Sequence, residues 1–437
     1  MSLWRLSFHL LASFLLVAGA VVGVAAGLGL AYLAANPLDL KPYLPRLNQW
    51  LASDGLALAA EQAQLTYDDG LRVRLQTLRL QVGNYPDALV ARQVDVRLAP
   101  FYLLLGRPTI TEARLTGVAV QGAITHGGVR IAGQVFRFAS SPEGEVGLDL
   151  VALLAARPWW GGGLSQLQHL VVEEAEMVLE SPQLAYPLRI AETQLQWQRR
   201  WLSDDQVTLR AALHYGQRTA PLVVQGSYAD GPEHLAIQAG IQGFYTDWVL
   251  PFLPPQWQQL AQGKVDLAFY GTLRRAGVWV EPQLHLSTGP MVLQLPPEVY
   301  AWPLRYQSIN AILSYEADRD QGTLSLPRLQ LVDQFGARAT GQLRLRGLHG
   351  RPHLEARLDV PDGTWPTVLQ YIPSGKAHDW LQDNLKQGDI FNARVEFHGP
   401  LDEKRLDGEA GRGYFHIKGD FANATIQMYP GLPPATQ

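Results

Sequence analysis

The sequence of 437 residues contains no cysteine. That absence excludes disulfides, cysteine-ligated zinc and thiol catalysis. Stability must then come from burial and backbone hydrogen bonding. Charge is also scarce: 17% of residues are charged and 47% are hydrophobic, against roughly 25% charged in ordinary soluble domains. The formal net charge of -4 offers no basic footprint for nucleic acid, so no such partner is expected. Catalytic signatures are missing as well. No Gly-x-x-x-x-Gly-Lys-Ser/Thr, His-Glu-x-x-His or Gly-x-Ser-x-Gly occurs. The 11 histidines are scattered without ligand spacing, and Gly408, Gly411 and Gly413 are too loosely set for a dinucleotide loop. Glu173, Glu174 and Glu176 suggest a metal cluster at first sight. Glu174 and Glu176 alternate with Ala175 and Met177, however, as residues on a wet strand face do. No catalytic residue, cofactor or metal is expected.

What is present begins with an apolar run. Leu10 to Ala35 carries no charged residue, with Arg5 and His9 before it and Asp39 and Lys41 after it. As a helix it would extend about 39 Å, more than the roughly 30 Å apolar core of a bilayer, and tilt accommodates the excess. The rival reading is a cleaved signal peptide, although a signal's apolar region is usually about 7–15 residues. The expectation is an uncleaved single-pass helix over residues 10–35, a cytoplasmic tail over 1–9, and the remainder outside the cytoplasm. Gly19, Gly23 and Gly27 share one face of that helix. They are candidates for close helix packing, or simply the small residues common in membrane helices.

Beyond the run, Pro42 to Ala52 reads as a short helix with Leu44, Leu47 and Leu51 on one side. From Leu56 the period becomes two. Leu71, Val73 and Leu75 alternate with arginine and glutamine, as do Leu78, Leu80 and Val82, and Val94, Val96 and Leu98 alternate with Asp95 and Arg97. The pattern returns at Val265, Leu267 and Phe269, at Leu343 and Leu345, at Val395 and Phe397, and at Phe415, Ile417 and Phe421. Such alternation marks strands with one apolar and one wet face. Asp69-Gly70 and Gly83-Asn84 are turn signals. The fold class expected is mainly β: a long, curled antiparallel sheet with a few short amphipathic helices. On the order of 28 strands would fit.

A loose internal repeat accompanies the alternation. Leu253-Pro254, Trp257, Leu260 and Gly263 precede one strand; Ile372-Pro373, Trp380, Leu385 and Gly388 precede another. Coincidence in a leucine-rich chain is the alternative. A sheet this long must cover its apolar face with helices, pack a second sheet on it, or leave it lining a groove. The alternation alone does not choose among these. For the groove, Val73, Leu75, Leu78, Leu80, Val265, Leu267, Phe269, Leu343, Leu345, Val395, Phe397, Phe415, Ile417 and Phe421 are the candidate lining residues. Trp159-Trp160 beside three glycines suits either a lipid surface or a packed loop.

The order of these segments resembles the bacterial AsmA-like family. The similarity rests on the apolar run, the short helix and the stretch Leu56 to Ile124, including Leu103-Leu104-Leu105-Gly106, Ile110, Ala113-Arg114-Leu115 and Val118. Tyr371 to Pro434 is similar to a block of the large YhdP-type, TamB-related members of that family. It carries Ile372-Pro373, Trp380-Leu381, Gly388, Ala393-Arg394-Val395, Gly399-Pro400-Leu401, Tyr414-Phe415, Ala424-Thr425 and Tyr429-Pro430-Gly431. The resemblance implies a bridge-like lipid transport protein, held in the bacterial inner membrane with its bulk in the periplasm. Phospholipid would pass along its β-groove towards the outer membrane, supporting that membrane's lipid balance and permeability barrier. Inner- or outer-membrane proteins are the implied partners. It divides the chain into an AsmA-like opening region at 36–125, a repetitive β-groove at 126–370 and a helix-plus-strand block at 371–437. The strand pattern still runs at Ala424, Ile426 and Met428, so the sheet is expected to continue past the block. The alternative from another class is a non-catalytic envelope scaffold that binds a partner through a sheet edge.

Overall fold

The computed structural model describes residues 29, 31–51, 56–82, 85–99, 109–125, 128–131, 134–140, 146–148, 167–199, 205–229, 234–252, 258–274, 279–294, 303–316, 322–347, 353–369, 372, 376–400, 414–427 and 435–436. The structure is mainly β, with one large sheet and a few short helices. Residues 31–35 are helical, and among the described residues no helix is long and apolar enough to cross a membrane. The expected span Leu10 to Ala35 lies almost wholly outside the described residues, as do Gly19, Gly23, Gly27 and Trp159-Trp160. The short helix read from Pro42 onward forms as a 3-10 turn, Lys41–Tyr43, followed by an α-helix, Leu44–Leu51. Asn48 docks that helix on a strand edge, its Oδ1 accepting the Leu58 N–H and its Nδ2 donating to the Leu58 carbonyl, each at 2.8 Å. A side-chain amide there makes the bonds a strand backbone would make.

Among the described residues, sixteen long strands carry the sheet. In ladder order they are Leu71–Val82, Tyr85–Leu98, Ile110–Thr125, His169–Glu180, Leu188–Gln198, Gln206–Tyr215, Arg218–Ala229 and His234–Tyr245. Then come Lys264–Arg274, Trp279–Thr288, Leu304–Glu316, Thr323–Asp333, Arg338–Arg346, His353–Thr364, Leu385–Pro400 and Tyr414–Ile426. At about 4.8 Å per strand this ladder is about 70 Å long. Nearly every pairing is antiparallel between sequence neighbours. The exception is Ile110–Thr125 with His169–Glu180, which run parallel. A parallel pair needs a crossover of a dozen residues or more. Residues 126–168 provide it, with the small strands Gly128–Ile131, Gln134–Ser140 and Val146–Leu148 on the way.

The large, mainly antiparallel sheet is as expected, with the parallel joint as an addition to it. The sheet is not curled closed: among the described residues no ladder joins its first strand to its last. Closure or a second sheet would bury the middle of the apolar face, and nearly all of those middle positions with described side chains are only half-buried.

Leu71–Val82 is a single strand, although its apolar residues step by three from Leu75 to Leu78. Thr77 supplies the extra residue with φ of 49°. The same kink recurs in several other strands, with positive φ at Gly117, Glu174, Glu192, Gly243, Asn392 and Asn423. Register shifts accompany it between Val172 and Ala175, Ala191 and Gln194, and Ile241 and Phe244. Each bulge bends its strand and increases its twist. Gly117 is forced: a Cβ there would lie 2.9 Å from the Cβ of Arg92, whose guanidinium bonds the carboxylate of Glu174 two strands away.

Candidate functional site

Alternation along each strand and register between strands combine into one apolar face. Its middle row begins at Leu75 and passes through Val94, Leu115, Val172 and Leu195. It continues through Leu209, Val224, Ala239, Phe269, Leu284 and Leu313. After the bulge between Ile312 and Ser314 it resumes at Leu326, Leu343, Ala356 and Phe397, and ends opposite Phe415. No polar residue interrupts it across the sixteen strands. Of the row's residues with described side chains, Val94 is buried and the rest are half-buried.

The two flanking rows differ. On one side lie Leu78, Ala91 and Val118, then Leu213 and Ala220, then Val265, Ile309, Leu331 and Ala339, all buried. The non-strand elements with described packing gather on this side. Leu44 of the helix Leu44–Leu51 packs with Leu58 and Leu78. Trp248, in the turn Thr246–Trp248, is 3% exposed among Tyr215, Phe244 and Tyr245. Met291, Trp365 and Ile372 close over Ile309, Leu331, Ile390 and Ala393. The turns Thr246–Trp248 and Leu250–Phe252 and the helices Trp365–Leu369 and Lys376–Asn384 lie at this rim; Leu253-Pro254 and Trp257 of the first repeat copy lie outside the described residues. On the other side run Val73, Val96, Ala113, Leu170, Trp197, Val207 and Ile237, and later Leu324, Leu345 and Leu354, all half-buried. Leu71 and Leu167 at the first end of that side are buried. Among the described residues, one rim of the apolar face is thus sealed and the other open.

The opposite face is polar and ionic. Arg74 binds Asp95 at 2.9 Å, Arg189 binds Glu176 at 2.6 Å and Arg394 binds Asp359 at 2.6 Å. Such exposed pairs contribute about 0–1 kcal/mol each. Their main effect is to keep this face in water, as the wet-strand reading of Glu174 and Glu176 requires. Burial raises the Asp359 pKa, but the hydrogen bonds and charges of Arg394 and Arg357 outweigh it and hold the carboxyl below its ordinary value.

The structure places thirteen of the fourteen groove candidates on the same face of the sheet. Leu78, Leu80, Val265 and Val395 are buried. Val73, Leu75, Leu267, Phe269, Leu343, Leu345, Phe397 and Ile417 are half-buried. Phe421 is 48% exposed near Trp365. Phe415 stands opposite Phe397 in the ladder, its side chain outside those described. The strands between Ile110 and Tyr245 complete the face and carry none of these candidates; Leu195, Leu209 and Val224 alternate with polar neighbours there as the named residues do elsewhere.

No curated protein and no solved structure matches the chain. Residues 279–437, from the strand Trp279–Thr288 to the end, match the family described as YhdP protein. Over these residues the chain is similar to that family, which supports a YhdP/AsmA-like assignment.

Proposed function

We propose that this chain is a periplasmic protein, held in the inner membrane by Leu10 to Ala35, that guides phospholipid along the apolar face between the inner and outer membranes. In doing so it supports the lipid balance and permeability barrier of the outer membrane. The family match and the large sheet fit a bridge-like lipid transport protein. The observation that carries the reading is the uninterrupted apolar row from Leu75 to Phe397, half-buried except at the buried Val94.

An unoccupied face of this kind leaves apolar surface in water at roughly 25 cal/mol per Å², and contiguous patches of it mark interaction sites. Acyl chains relieve that cost along the whole row without needing a specific pocket. The rise from Val73 to Leu80 gives about 23 Å of apolar depth across the strands. The sealed rim receives the acyl chains, and the open rim lets the headgroup stay in water. In this reading the half-buried candidates touch lipid, while Leu78, Leu80, Val265 and Val395 form the packed support beneath the rim. The work is transfer rather than catalysis.

A scaffold role has one observation in its favour. The outer edge of Tyr414–Ile426 is paired only at Thr425 and Ile426 among the described residues, and such an edge accepts another strand. Lipid extraction and native mass spectrometry of the purified chain separate the two. Co-purified phospholipid, lost when Phe269 and Phe397 are both replaced by arginine, supports the conduit; a lipid-free folded chain defeats it.

A further inference from the structure

We propose that His353 and His398 form a cross-strand site for a divalent transition-metal ion of the zinc class, on the polar face behind the apolar row. The two histidines lie on the neighbouring strands His353–Thr364 and Leu385–Pro400. Leu354 points to the apolar face, so His353 and Glu355 point away from it. The Nε2 atoms of His353 and His398 are 3.1 Å apart, with ring centroids 4.5 Å apart and planes at 74°. Tetrahedral zinc with bonds of about 2.0–2.1 Å sets its nitrogen ligands roughly 3.3 Å apart, so both lone pairs are already near bonding separation. Without a metal, one imidazole must donate to the other, or two lone pairs face each other.

The surroundings hold the pair in place. The ring of His398 stacks on Tyr414 with centroids 5.6 Å apart and planes at 18°. Glu355 Oε1 stands 3.8 Å from His398 Nδ1, behind the ring relative to the shared Nε2 edge. A carboxylate there orients a ligating histidine and raises its basicity. The other oxygen of Glu355 pairs with Arg346 at 3.5 Å, which fixes the carboxylate and leaves Oε1 for His398. Possible ligand atoms of all three residues lie within 4.8 Å of one another, and all three are half-buried. Solvent can therefore supply the remaining ligands. A bound ion would clip the two strands together without entering the lipid path.

The test uses the full chain in detergent and zinc alone as probe. Chelator competition should show one zinc equivalent that disappears in both His353→Ala and His398→Ala. Glu355→Gln should keep that equivalent with affinity lowered about 10–100-fold. Zinc should raise the unfolding temperature of the wild type and not that of His398→Ala. In the wild type, zinc should also protect His353 and His398 from carbethoxylation, read by peptide mass spectrometry, which decides the matter even where a variant fails to fold. Equal zinc stoichiometry in wild type and folded histidine variants, or no protection of these two residues, would overturn the site.

Discussion

An arginine placed at two leucines of the same face should have opposite consequences. Leu343 sits in the middle row between Leu326 and Ala356 and is half-buried. Leu331 lies under the sealed rim at 6% exposure, packed with the buried cluster around Ile309 and Ala339. Leu343→Arg forfeits part of a leucine's burial, about 1 kcal/mol, and its long side chain can carry the charge to the open rim. Leu331→Arg leaves a buried charge without a partner, at about 3–5 kcal/mol. The gap of about 3 kcal/mol is on the order of a hundredfold in the unfolding equilibrium. Denaturation midpoints measure the first half of the prediction, and phospholipid co-purifying by native mass spectrometry measures the second. Leu343→Arg should stay folded and lose lipid, whereas Leu331→Arg should lose its fold. If both unfold the chain to the same extent, the middle row is a closed core and the reasoning fails.

Three other outcomes follow from separate parts of the molecule. The run Leu10 to Ala35 should remain on the mature protein with the bulk of the chain protease-accessible in spheroplasts, and a mature N-terminus near Asn36 would refute this. Gly341→Ala should destabilise by about 1–3 kcal/mol, because the new Cβ would lie 2.3 Å from the Arg357 carbonyl oxygen and 2.6 Å from Leu358; denaturant melts check it. Asp359 is held below its ordinary value of 3.8, so its stabilising contribution is complete above that pH and is lost as pH falls through its lower folded value. Acid unfolding of Asp359→Asn should accordingly show a shallower loss below about pH 4 than the wild type.

Much of the sheet was legible because each strand writes its own face into alternation. Val73 against Arg72 and Arg74, or Leu343 against Gln342 and Arg344, needs no knowledge of the neighbouring strand. The short helix after Pro42 was legible for the same local reason. The kinks were not. Thr77, Glu174 and Glu192 adopt positive φ although their residue types carry no such signal, and the only trace is an apolar step of three. The parallel joint at Ile110–Thr125 was hidden too, because it depends on where residues 126–168 return the chain. Register hid more: His353 and His398, 45 positions apart, meet only through the ladder. The difference between a sealed and an open rim lies in which side the short helices pack on, and binary pattern does not encode that.

The central claim is that lipid travels on the middle row. The direct measurement is site-specific photo-crosslinking in cells expressing the full chain, with a benzophenone residue in turn at Phe269, Leu343 and Phe397 and, as polar-face controls, at Tyr270, Arg344 and Glu396. The account predicts phospholipid adducts at the first three positions and none at the controls. Absence of adducts at all three row positions, or equal labelling of both faces, would contradict it.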